Sequence, residues 1–253
     1  MDNNRPMKQK TDLILQLSHN NKEIIKKTDN LEISPFEKPL FLVMMTFIGG
    51  YVNAYTYITR NKVLANMHTA NMSKFGINIA LGEWKNALRF FIPMVACILG
   101  ATFSEYVKYI IIKNKYKGDW RKIALILESL ALFGVGLIPL SAPDFIITTL
   151  ISFFMGYQLC LCRKCIGIAF NTTICTGNLR TVGQLLYDAL DEKNKNSLKK
   201  LITFTILTFS FSLGAIPGTI ISMALSTKSV WICSFILLAQ VAWVSKYDAS
   251  YKQ

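Results

Sequence analysis

The chain has 253 residues, 52% of them hydrophobic and 17% charged, with a formal net charge of +13 and a mean hydropathy of +0.34. That hydropathy excludes a disordered protein, and the charged fraction falls short of the roughly one quarter usual in soluble domains. The basic residues flank long apolar runs instead of forming a basic face with aromatic platforms, which argues against nucleic acid as a partner and marks the excess as topogenic.

In chain order, residues 1–38 come first. They hold seven Lys or Arg and six Asp or Glu, and their longest apolar run is Leu13-Ile14-Leu15. No cleavable signal peptide fits there, so they read as a polar cytoplasmic tail. A helix crossing the hydrocarbon core needs roughly 20 apolar residues. Six stretches meet that need: 39–58, 90–112, 123–140, 145–162, 201–225 and 230–245. Within them the acids are Glu105 and Glu128. Two further segments, 63–81 and 166–186, are moderately apolar but carry Asn, Thr, His, Lys or Arg. Lys74 and Arg180 sit near their middles, where a cation costs about 2.5–3.5 kcal/mol. These segments are weak spans, re-entrant segments or interfacial helices. Residues 246–253 form a short second tail.

Charge counting orients the spans. With six spans and a cytoplasmic N-terminus, 22 of the 28 Lys and Arg lie inside and 6 outside. Eight full spans would put the dense block around Lys108–Lys122 outside, against the positive-inside rule. Both termini are therefore expected in the cytoplasm.

The two halves resemble each other. Phe47-Ile48-Gly49-Gly50-Tyr51 matches Phe153-Phe154-Met155-Gly156-Tyr157 at an offset of 106, and Thr69-Ala70-Asn71 matches Thr176-Gly177-Asn178 at 107. Leu99-Gly100-Ala101 matches Leu213-Gly214-Ala215 at 114. Three spans per half is an odd number, so two copies insert in opposite directions. The expected fold is an all-α membrane protein of six transmembrane helices plus two re-entrant or broken polar helices. Residues 39–140 and 141–245 form its inverted-topology internal repeat.

On these residues the chain resembles the YoaK-like membrane proteins, a bacterial family of uncharacterised function. The resemblance spans roughly residues 40–245. The first half carries Gly49-Gly50-Tyr51-Val52-Asn53-Ala54 and Ala65-Asn66-Met67-His68-Thr69-Ala70-Asn71. The second carries Met155-Gly156-Tyr157-Gln158, Arg163 and Thr172-Thr173-Ile174-Cys175-Thr176-Gly177-Asn178. Asn53 replaces a common Asp and Ala70 a usual Gly, which argues against acid-dependent coupling. The resemblance implies a protein of the bacterial cytoplasmic (inner) membrane and the role of a transporter, with no established substrate.

Thr-x-Asn in an apolar setting supplies a hydroxyl and an amide to broken backbone, to a neighbouring helix or to a ligand. Gly177 permits a bend, whereas the Cβ of Ala70 makes the left-handed region costly. Candidate solute-binding residues are Thr69, Asn71, Thr176, Gly177, Asn178, Tyr51, Asn53 and Gln158. Arg163, Arg180 and His68 are candidates for gating or for attracting an anion. Glu105 is expected to pair with Lys108. Glu128 is divided between snorkelling and a functional role. Cys160, Cys162 and Cys165 read as small apolar residues at a helix end, so neither a metal nor another cofactor is expected. No hydrolase, metalloprotease or phosphate-loop motif appears, and no Asp lies inside a span, so catalysis is not expected. The expected function is a small-solute transporter working by alternating access around the paired Thr-x-Asn segments. Its partners are the lipid bilayer, an unidentified solute and, compatibly, further copies of the chain. The alternative is a non-transporting membrane scaffold or accessory protein.

Overall fold

Proline opens the first helix. Pro39 sits where no backbone donor is needed and its fixed φ suits the helix, and α1 runs Pro39–Thr59. The described residues of this computed structural model are 34–115, 119–173, 175–191 and 195–250. The tail expected over 1–38 lies almost wholly outside them, as do residues 251–253. After α1, Asn61 and Lys62 take φ of 50° and 59° and turn the chain. The next helix, α2, spans His68–Ala80, 13 residues. That is about 20 Å of helix, short of the ~30 Å hydrocarbon core. Gly82 at φ 75° then leads into α3, Trp84–Lys113.

Asp119 caps α4, Trp120–Leu137, accepting from the Arg121 amide at 2.9 Å. The apolar run in the sequence extends this span to Leu140. It ends earlier because Ile138 precedes Pro139 and is extended, as the proline ring demands. α5 is Asp144–Leu161. Two short strands follow, β1 Lys164–Cys165 and β2 Ile168–Ala169, paired antiparallel. Ile166 and Gly167, both at positive φ, make their two-residue turn, the primed geometry that matches strand twist. The chain continues through α6 (Cys175–Asp191), α7 (Lys195–Leu225), a 3-10 turn (Ser226–Val230) and α8 (Trp231–Ser250).

The described residues are all-α apart from that hairpin. Four described stretches are long and apolar enough to cross a membrane: Pro39–Thr59, Trp84–Lys113, Asp144–Leu161 and Asn196–Tyr247. The last holds both α7 and α8. These helices mark a membrane protein. α4 stands apart because it carries Arg121, Lys122 and Glu128 in 18 residues.

Packing is dominated by α1 on α7 and α3 on α5. Both crossings are backbone on backbone. A Cβ on Gly50 would collide with the Phe211 carbonyl, and one on Gly214 with that of Phe47. At the other crossing, a Cβ on Gly100 would collide with the Phe153 carbonyl, and one on Gly156 with that of Cys97. α2 packs on α3, with Phe75 stacked on Phe91 at 5.1 Å, and α6 packs on α7. α4 meets α8 through the Ser129 and Ser234 hydroxyls, 2.8 Å apart, and through Trp231, whose Nε1 donates to the Phe133 carbonyl at 3.0 Å. Leu42, Met45, Ile48, Leu125, Ile151, Phe204 and Leu237 belong to one buried apolar core.

Candidate functional site

The segments before α2 and α6 both leave helical geometry inside the fold. Asn66 Nδ2 donates to the Gly49 carbonyl at 2.8 Å. The Ser152 hydroxyl donates to the Ala65 carbonyl at 2.5 Å. Gly49 and Ser152 lie near the midpoints of α1 and α5, so this first loop sits at about half the depth of both helices. The second loop arrives at the same place. A Cβ on Gly49 would stand 3.0 Å from the Thr172 carbonyl and 3.4 Å from Thr173 Cγ2. The missing side chain is what admits the loop.

Around this junction, polar oxygens lack partners. Thr172 and Thr173 present unbonded hydroxyls, and Asn66 Oδ1 accepts nothing. On α1, Thr46 and Asn53 lie one turn either side of Gly49 on one face, and Thr46 Oγ1 and Asn53 Oδ1 are also unbonded. Exposures are 1% for Thr46 and Thr172, 3% for Asn53, and 4% for Asn66 and Thr173. Buried polar groups are nearly always bonded to protein or water. Five unbonded ones gather where two non-helical loops meet, and atoms of this kind call for water or another polar partner.

The residues selected from sequence divide. Asn71 and Asn178 are buried, but their amides close their own loops. Asn71 Nδ2 donates to the Leu64 carbonyl at 3.2 Å, and Asn178 Nδ2 to the Asn171 carbonyl at 2.7 Å. Thr69 and Thr176 are exposed on the outer sides of α2 and α6. Gly177 is helical, and open space surrounds the position a side chain would take. The break therefore precedes the Thr-x-Asn motif in both halves, with Ala70 and Gly177 alike inside a helix. Tyr51 donates to the Ser229 carbonyl at 2.9 Å and ties α1 to the 3-10 turn. Gln158 Nε2 reaches the Met45 carbonyl at 3.4 Å, leaving Oε1 unbonded. Asn53 joins the junction. His68, half-buried at the start of α2, has both ring nitrogens unbonded.

Arg163 is exposed and bonds Glu105 at 2.6 Å, and Glu105 also pairs with Lys108 at 3.3 Å. Arg180 is exposed on α6. The six cysteines are free. Cys165, beyond the end of α5, is buried, and burial pushes its thiol up to about 12, away from the reactive thiolate. Among the described residues no three His, Cys, Asp or Glu side chains converge to hold a metal.

Sequence reasoning passed over Asn66, Thr46, Thr172 and Thr173 as site residues. The available signal was position: each loop residue stands just before a helix start, where Asn and Thr carry chemistry the helix does not consume. It also left Glu128 between two roles. The carboxyl does not snorkel toward the basic block; it is fully buried and both oxygens are unbonded. Arg60 was missed as well. It is buried at the end of α1, donating to the Ile138 and Pro139 carbonyls at 3.2 and 3.3 Å, with Asp144 at 3.9 Å.

The sequence profile of DUF1275, a family described as protein of unknown function, matches residues 41–243. The chain belongs to the DUF1275 family. That agrees with its YoaK-like motifs, and the matched region of this DUF1275 protein takes in both loops of the junction. No curated protein and no solved structure matches it.

Proposed function

We propose that this DUF1275 protein moves a small solute across the bacterial inner membrane by alternating access, with two inverted three-span repeats opening in turn onto the loop junction. In this reading α1, α3, α4, α5, α7 and α8 span the bilayer. α2 and α6 re-enter from opposite sides, both termini are cytoplasmic, and no catalytic chemistry is assigned.

The observation that carries the proposal is the meeting of two interrupted segments at the midpoint of α1, lined by buried oxygens without partners. Interrupted helices in a membrane need a cavity or protein to satisfy their backbone, and in transporters they build the solute site. The inverted repeat is supported by equivalent contacts. Gly50 against Phe211 corresponds to Gly156 against Cys97, and Gly214 against Phe47 to Gly100 against Phe153. The offsets are the 106 and 114 of the sequence match. The loop-closing bonds of Asn71 and Asn178 correspond at 107 for donor and acceptor alike.

A thermal-shift screen of the detergent-solubilised protein against a panel of small metabolites tests this. A transporter with a site is stabilised by a bound solute, by ~2.7 kcal/mol at one hundred times Kd. That solute is then expected to enter proteoliposomes. A scaffold or accessory protein gives neither response, and its occurrence would replace the proposal.

A further inference from the structure

The atoms left free at the junction say what kind of solute fits it; this inference rests on the transporter reading above. We propose that the solute is small, uncharged and rich in hydroxyl or amide hydrogens, of the polyol or simple amide class. The amide oxygen of Asn66, fixed in orientation by its Nδ2 bond to Gly49, is unbonded and only accepts, so the solute must bring a donor; the unbonded oxygen of Asn53 takes a second. The hydroxyls of Thr46, Thr172 and Thr173 are unbonded and both donate and accept, which suits groups that do the same.

None of the five side chains around the junction is ionisable. Among the described residues only Arg60 and Glu128 are both charged and buried. Arg60 is committed to the carbonyls after α4. Glu128 lies on α4, a helix that supplies none of the five junction residues. An ion brought to the junction would shed its hydration with no counter-charge, at a cost of several kcal/mol. The starts of α2 and α6 add partial positive charge, which favours an anion, but the two amide oxygens oppose one. α2 has no side-chain cap and its Ala70 amide already donates to the Met67 carbonyl, which leaves the His68 and Thr69 amides for an acceptor on the solute. A molecule carrying both donors and acceptors satisfies the oxygens and the helix start together.

The test is uptake into proteoliposomes of the full chain, against protein-free vesicles. Radiolabelled erythritol, mannitol and acetamide form the uncharged arm; succinate, phosphate and choline form the ionic arm. Thr172→Val and Thr173→Val are run beside the wild type. Each removes a hydroxyl that the fold does not use, so both variants are expected to melt no lower than wild type. The expected result is accumulation of at least one uncharged probe, lowered about tenfold in one or both variants, with the ionic arm at background. Uptake confined to the ionic arm overturns the solute class and leaves transport standing. Uptake of uncharged probes unchanged in both variants overturns the site. No uptake in either arm overturns the solute class and the transport reading together.

Discussion

Glu128 and Arg60 are both buried charged residues, and their surroundings predict opposite responses to substitution. Arg60 holds two backbone carbonyls that have no other described side-chain donor. Arg60→Ala would leave them unpaired and open a large cavity, lowering stability by about 3 kcal/mol or more. Asp144→Asn should cost less than about 1 kcal/mol, because the pair is 3.9 Å apart and Asp144 is one-third exposed, where solvent screens it. Glu128 bonds nothing. Glu128→Met exchanges an unsatisfied carboxyl for apolar volume and should raise stability by about 1–3 kcal/mol. Thermal unfolding in detergent reads all three. A fall for Glu128→Met would mean that the carboxyl has a bonding partner in the membrane.

The helices are held by glycines at some positions and merely contain them at others. Gly50→Ala, Gly100→Ala, Gly156→Ala and Gly214→Ala each place a methyl group into a facing carbonyl, and should lower the unfolding midpoint by the equivalent of about 1–3 kcal/mol or more. Gly177→Ala meets open space inside α6 and should raise it by about 0.5–1 kcal/mol. Asn71→Ala strips the one bond that closes its loop and Asn178→Ala the two that close the other, and each should cost about 1–2 kcal/mol. Those losses would lower transport through folding before any question of solute contact. The apolar runs and the two interrupted segments were legible because burial in a membrane demands long uncharged helices and penalises cations such as Lys74 and Arg180. Where the interruption falls was not legible. Thr-x-Asn looks like a breaker in sequence, yet the Asn amide reaches seven residues back, so the motif anchors a break that has already happened. The Ile166-Gly167 turn was hidden for a different reason: β-branched isoleucine is a poor prior for positive φ, and strands of two residues leave no periodicity.

At the scale of the molecule, the six-span topology makes a prediction about sides. Single cysteines replacing Lys115 and Lys199, in a background without the native six, should be labelled only from the cytoplasmic face by an impermeant thiol reagent. Those replacing Lys85 and Lys228 should be labelled only from the other face. Lys115 and Lys199 on opposite faces would dissolve the inverted pairing. The glycine crossings carry one more consequence. Each joins a helix from before residue 138 to a helix from after residue 143, so the tightest seams run between chain segments far apart in sequence. Neither segment keeps its closest neighbour if the other is missing. A gene cut within codons 138–143 should therefore yield two fragments that are degraded when made singly and accumulate as a co-purifying pair when made together.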